Sequence, residues 1–185
     1  GGYHAVKLRR YQELVEHRLL KELNMVATAF QTAQSEEDIQ RVFLSTPSLN
    51  MLNTRYLVYN QEAPPVRNPF AYGNAWFVPN MKIVENADAE MEALETLQPL
   101  ETAVIDKRFA TDLEGFTPQF DPEGSITLID YRPNHLIYKT KAASEQLAVF
   151  SEIYYQPGWD VTIDGHPASQ FRADWTLRAL RIPAG

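Results

Sequence analysis

The stretch Ser151-Glu152-Ile153-Tyr154-Tyr155-Gln156-Pro157-Gly158-Trp159-Asp160-Val161-Thr162-Ile163-Asp164-Gly165 decides how this chain is read. It predicts a strand from Gln146 to Tyr155, a tight Pro157-Gly158 turn, and a second strand from Trp159 to Ile163. Asp164-Gly165 is the residue pair that a two-residue type I′ hairpin favours, because both turn positions need positive φ. Together these signals announce antiparallel β structure. Working outward, Ile126, Leu128 and Tyr131 lead to a turn at Arg132-Pro133-Asn134, Leu136 to Thr140 form the next run, and Thr176 to Ile182 the last. Turns recurring at such short intervals predict a β-sandwich from near Gly124 to the end.

Upstream the apolar period changes from near 2 to near 3.6. Leu8, Tyr11, Val15, Leu19 and Leu23 mark one stripe of a helix running from His4 to about Phe30. Ser35-Glu36-Glu37-Asp38 has the form of a helix start, with a capping hydroxyl and acids on the first turn. Thr46-Pro47 predicts another short start, proline being suited to the first helical position. A strand over Arg55–Tyr59 follows, then loop over 60–75. Strands at 76–78 and 81–84 flank Pro79, and a helix capped by Asp88 separates them from a strand at 103–106. Residues 107–124 read as loop. The expected fold class is α+β: N-terminal helices over residues 1–60, a small mixed α/β region over 61–123, and a jelly-roll-like antiparallel sandwich over 124–185. The final Arg181-Ile182-Pro183-Ala184-Gly185 reads as a strand and turn lacking a partner strand, and with Gly-Gly-Tyr-His at the other end it marks an excised domain.

Composition narrows the function classes. The 185 residues are 44% hydrophobic and 11% aromatic, enough for a packed core. A net charge of −7 argues against general nucleic-acid binding. The first 21 residues nevertheless carry five basic side chains against Glu13 and Glu16, a local +3. With no cysteine there is neither a disulfide framework nor a thiolate metal site. No apolar run approaches the ~18–20 residues that cross a bilayer. His4, His17, His135 and His166 are spaced unlike metal ligands. Ser151 has no nucleophile-elbow setting, phosphate-cradling glycine loops are missing, and nothing in the residues calls for a cofactor. Asp130, Glu152, Asp160 and Asp164 are numerous enough for a glycosidase acid pair. Surface solvation is the simpler account of them, and Asp164 is explained by its turn.

Two groups of residues remain as candidate contacts. Tyr154, Tyr155 and Trp159 offer flat faces with polar edges, the amphipathic chemistry that stacks on sugar rings. Tyr154 and Tyr155 alternate along a strand, so only one can share a surface with Trp159. Core packing is the principal expectation for Trp159. His4, Lys7 and Arg10, spaced by three, lie along one helix face where they could meet a phosphate-bearing headgroup or carrier. Their ordinary alternative is a solvated face.

Several segments, in order, resemble one family. Gly1-Gly2-Tyr3-His4-Ala5-Val6-Lys7-Leu8-Arg9-Arg10-Tyr11-Gln12, Asn50-Met51-Leu52-Asn53-Thr54-Arg55-Tyr56, Asn68-Pro69, Gly73-Asn74-Ala75-Trp76-Phe77-Val78, the Ser151–Gly165 stretch and Arg178-Ala179-Leu180-Arg181-Ile182-Pro183-Ala184-Gly185 are similar to runs of the YfhO-like bacterial membrane proteins. These are polytopic proteins that resemble glycosyltransferases using polyprenyl-phosphate sugars. The resemblance implies an extracytoplasmic domain on the periplasmic or cell-surface side of the cell membrane. Its partners would be the membrane-embedded part of the same protein and an envelope glycan or polyprenyl-phosphate sugar. The catalytic acid of such proteins is expected in an early loop that this chain does not include, so no catalytic residue is carried over and the fragment itself is not expected to be an enzyme. The alternative is a structural or interaction domain with no ligand of its own.

Overall fold

The computed structural model describes residues 9–185, and these fall into two compact units that part between Ala71 and Tyr72. The predicted contacts at His4 and Lys7 lie outside the described residues.

The first unit is mainly helical. Helix α1 (Arg9–Leu14), a π-helical turn (Val15–Leu19) and α2 (Leu20–Thr32) run on without a break in helical geometry. The π turn adds a residue to the register and so moves the buried stripe. Leu14, Leu19, Val26 and Ala29 are buried, along with Arg18 and Glu22. Tyr11, expected on the apolar stripe, is exposed instead. Helix α3 (Glu36–Val42) starts as expected, the Ser35 hydroxyl accepting from the Asp38 N–H at 3.2 Å. Helix α4 (Pro47–Met51) has proline at its start, and its cap comes from far away in sequence. Glu22 Oε1 accepts from Ser48 N–H at 3.0 Å and Oε2 from Leu49 N–H at 2.9 Å. A buried carboxylate thus meets the positive end of a helix and satisfies two of its orphan donors. Of the expected strand at 55–59 only β1 (Tyr56–Leu57) forms, paired antiparallel with β2 (Val66–Arg67).

The second unit centres on a four-stranded antiparallel sheet. Strands β3 (Ala75–Val78) and β4 (Asn80–Val84) are separated by Pro79, which cannot donate to a ladder. Helix α5 (Ala87–Ala93) leads to β5 (Thr102–Asp106), parallel to β4. Its cap is Asn86, accepting from Ala89 N–H at 3.0 Å, and not Asp88 as the sequence implied. Residues Lys107–Leu113 form 3-10 turns where loop was expected. Strands β6 (Ser125–Arg132) and β7 (His135–Lys141) make a hairpin. Strand β8 (Gln146–Ile153) follows, then the short hairpin β9 (Thr162–Ile163) and β10 (His166–Pro167), then β11 (Phe171–Ala173) and β12 (Leu177–Ile182). The sheet order is β11-β12-β8-β3. With a two-stranded parallel pair and separate antiparallel hairpins beside it, the chain is α+β.

Two expectations are corrected. Strand β8 does not turn back at Pro157-Gly158 to pair with the next strand; its neighbours are β12 and β3. Residues Gln156–Gly158 form a 3-10 turn, where a Cβ on Gly158 would lie 2.8 Å from the exposed Tyr155 ring and push it aside. The final strand does not lack a partner, because β12 is bonded on both edges, by β8 and β11. Asp164-Gly165 behaves as read, with φ of 51° and 80° at the β9–β10 turn.

One face of the sheet presents Ala148, Phe150, Leu180 and Ile182, packed against Ala75, Phe77, Ile126, Tyr138, Val161 and Ile163. Full burial of a side chain such as Phe150 or Leu180 stabilises by about 1.5–3 kcal/mol. Buried Leu147, Val149, Trp76 and Val78 alternate with that set and belong to the opposite face. A β-bulge interrupts the β12–β8 ladder between Leu177 and Arg178. Bulges bend a strand and re-aim its side chains, and here the extra residues are Ser151 and Glu152 of β8, opposite the Leu177–Arg178 step.

Candidate functional site

Three arginines on β11 and β12 are set in different surroundings, and the contrast locates the site. Arg181 grips Glu145 with two parallel bonds, Nε to Oε1 at 2.8 Å and Nη2 to Oε2 at 3.0 Å. That is the fork-to-carboxylate geometry in which a guanidinium edge is fully used.

Arg172 belongs to a buried charged knot. Its Nη2 donates to Glu90 Oε2 at 3.1 Å, and Asp106 Oδ2 stands 3.7 Å away. Glu90, fully buried, also accepts from the Trp175 N–H through Oε1 at 3.1 Å. Phe109 lies beneath the Arg172 guanidinium at 5.2 Å, a cation–π contact. Asp174 bonds strand β5 twice: its N–H donates to Val104 O and its Oδ1 accepts from Val104 N–H, both at 2.8 Å. Asp174 and Trp175 both have positive φ, 49° and 73°, a strained conformation for residues with a Cβ. The Glu90 and Val104 bonds hold the turn in place. Burial, reinforced by the neighbouring Glu90, pushes the Asp174 carboxyl up to about 8. Burial also works against the Asp106 charge, but the backbone and side chain of Arg108, together with Arg172, hold its carboxyl below the usual range. This constellation fastens β5 and α5 to the β11–β12 turn.

Arg172 leaves its buried Nε unmet but engages Nη2 with Glu90; Arg178 leaves both unmet. It is 6% exposed, yet its Nε and Nη2 have no hydrogen-bond acceptor. Its guanidinium lies 4.7 Å from the centroid of the Trp159 ring. Tyr138 lies edge-on to Phe150, and its hydroxyl is likewise buried and unpartnered. The charge of Glu152 acts on both groups without filling either gap. Burial pushes the Tyr138 phenol up to about 12 and the Arg178 guanidinium below its ordinary value. These two side chains and Trp159 line a cavity of about 250 Å³ between the β6–β7 hairpin, β9 and β12.

On the other side of the Trp159–Thr162 segment lies a larger, more open groove of about 750 Å³. Trp159 and Tyr154 both line it, with Phe109 set edge-on to Tyr154 at 5.8 Å between ring centroids. Arg108, Asp112, Gln156 and Gln170 supply polar groups around these rings. Gln170 is fixed by donating from Nε2 to Trp159 O at 2.6 Å, while its Oε1 is buried and unpartnered. Tyr155 does not line the groove and is exposed. Trp159 is half-buried rather than part of the core, contrary to the principal expectation for it. It forms a wall shared by cavity and groove.

Arg10, the one described member of the predicted basic triad, is half-buried and already engaged by a contact of its own. Among the described residues, no set of three His, Asp or Glu side chains is grouped to hold a metal ion, and no helix is long and apolar enough to cross a membrane. The sequence reading overlooked Arg178, Tyr138, Phe109 and Gln170. One signal for Arg178 was present: a charge on the same alternating face as Leu180 and Ile182. Searches of family models, curated proteins and solved structures returned no match for this chain.

Proposed function

We propose that this chain is an extracytoplasmic, noncatalytic domain of a polytopic bacterial membrane protein and that its second unit holds a stretch of envelope glycan for the membrane-embedded part. The observation that carries the glycan reading is the groove lined by Tyr154, Phe109 and Trp159. Its volume of about 750 Å³ falls within the range of small-molecule sites. Aromatic rings ringed by amide, carboxylate and guanidinium groups match a pyranose, whose faces are apolar and whose rim is hydroxylated. The membrane setting rests on the resemblance to YfhO-like proteins, and a polyprenyl-phosphate sugar carrier stays part of that proposal. A catalytic role for the fragment has little support. Glu90, Asp106 and Asp174 are all buried and each bonds an arginine or a backbone amide, which argues against an acid–base pair open to substrate.

The test is a titration of the isolated chain with envelope oligosaccharides, followed by intrinsic tryptophan fluorescence. Saturable binding that is lost in Tyr154→Ala and Trp159→Ala, with both variants folded, is the expected result. Binding that survives both substitutions places the glycan elsewhere. No binding to any oligosaccharide favours the alternative, a structural domain without a ligand of its own.

A further inference from the structure

We propose that the cavity beneath the β6–β7 hairpin is a subsite for a carboxylate group carried on a body about the size of one sugar ring, gripped by the free edge of Arg178. The groove of the preceding section is a separate space, so this inference does not depend on that reading.

The argument begins with which atoms of Arg178 are unmet. Nε–H and one Nη2–H lie along a single edge of the planar guanidinium, and together they form the fork that receives two oxygens of one carboxylate. Both are buried and unpartnered in Arg178. Three residues along the same strand, Arg181 shows the edge in use, holding both oxygens of Glu145 at 2.8 and 3.0 Å. The Arg178 guanidinium carbon lies over the Trp159 ring, 4.7 Å from its centroid, a cation–π contact that leaves the Nε and Nη2 donors unmet. The bulge beside Arg178 inserts Ser151 and Glu152 into β8, while Arg178 itself stays in register with Phe150 and Arg172.

The surroundings select the ligand. The Tyr138 hydroxyl, also buried and unpartnered, can donate to an anion or accept from a hydroxyl beside it. Phe150, Leu180, Ile126 and Ile163 give the cavity apolar walls against which a ring can rest. The volume of about 250 Å³ is just below the usual span for drug-sized ligands, about 300–1,000 Å³, and fits one small ring. Charge sets a further limit. Asp160 and Asp164 line the cavity and the Glu152 charge reaches Arg178, so these acids oppose any anion and oppose a dianionic phosphate more strongly than a single carboxylate. A uronic acid has the required combination of one carboxylate, vicinal hydroxyls and a ring.

Glucuronate, glucose and inorganic phosphate are the probes, titrated into the chain at concentrations on the order of 10 mM and followed by calorimetry and by the NMR signal of the Arg178 Nε–H. Saturable glucuronate binding that moves this signal is expected, with glucose and phosphate weaker. Arg178→Lys retains the charge and removes the fork, and should weaken glucuronate by about tenfold or more. Tyr138→Phe should weaken it severalfold. The NMR measurement on the unmodified chain stands even where a variant fails to fold. Failure of glucuronate to bind, glucose binding as tightly, phosphate binding more tightly, an unmoved Arg178 signal, or full binding by a folded Arg178→Lys variant would each overturn the proposal.

Discussion

The knot around Arg172 and the cavity around Arg178 sit on neighbouring strands of one sheet and treat a buried guanidinium in opposite ways. In register Arg172 and Arg178 are directly paired residues, and each is 6% exposed. Arg172 is gripped by Glu90, approached by Asp106 and supported by Phe109. Arg178 is stacked on Trp159 but keeps an unmet edge. Burying a charge is costly unless it is paired and hydrogen-bonded. The knot spends its carboxylates on joining elements distant in sequence. The cavity keeps a costly donor edge, and proteins retain such costs where function needs them. A buried charge anchored by a carboxylate from within marks scaffold, even though Arg172 leaves its own Nε–H unmet. A buried charge lacking such an anchor, beside a cavity, marks a candidate site.

The knot should show the largest effect. Glu90→Ala removes the acceptor for Arg172 and for the Trp175 N–H, stranding a buried cation and a strained turn. A loss of about 3–5 kcal/mol is expected, read as a lower urea midpoint. A loss under about 1 kcal/mol would mean that the knot is not structural.

Trp159 should matter less for stability than a fully buried tryptophan would. Because the ring is half-buried, Trp159→Ala is expected to cost about 1–3 kcal/mol rather than the ~3–5 of a core site. A loss at the core level would return Trp159 to the core and weaken its assignment as a shared wall.

Asp174 sharpens the comparison through pH. Its folded-state carboxyl is raised from the ordinary 3.8 to about 8, so the folded chain holds a proton that the unfolded chain releases. The stability this contributes is complete below about pH 4, declines as pH rises, and is gone above about 8. Asp174→Asn keeps an oxygen for the Val104 N–H and removes the titration. The variant should lose the decline between these limits. Asp106 acts oppositely, since its lowered carboxyl contributes above its ordinary value and loses that contribution in acid. Identical urea midpoints against pH in the parent chain and Asp174→Asn would show that Asp174 is ionised in the fold.

The smallest effect belongs to a surface pair. Arg9 Nε meets Glu13 at 2.8 Å on an exposed helix face, so Arg9→Gln should cost less than about 0.5 kcal/mol.

What the sequence showed in advance was local. The Ser35 cap, the Pro47 start and the Asp164-Gly165 turn each depend on a few adjacent residues, and each forms as read. The hairpin expected at Pro157-Gly158 failed for a reason no local pattern carries. The partners of β8 come from β3, some 70 residues earlier, and from β12. The first helix was recognised, but the π turn displaced its buried stripe and left Tyr11 exposed. The candidate site was legible in the same partial way. Tyr154 and Trp159 were singled out by their chemistry; only Tyr154 of the two tyrosines lines the groove with Trp159, although β8 ends at Ile153 and strand alternation is not the reason. Arg178 escaped notice because its meaning depends on what is missing around it. Glu90 escaped because its partners lie 82 and 85 residues away.

The most direct test is a paired measurement of urea unfolding for Arg172→Met and Arg178→Met, each replacing a buried guanidinium by an apolar chain. Arg172→Met strands Glu90 and Asp106 and should lose about 3–5 kcal/mol. Arg178→Met removes a buried donor edge that has no acceptor, and the chain should keep its stability or gain. Equal destabilisation by the two substitutions would contradict the account, because Arg178 would then be scaffold in the same sense as Arg172.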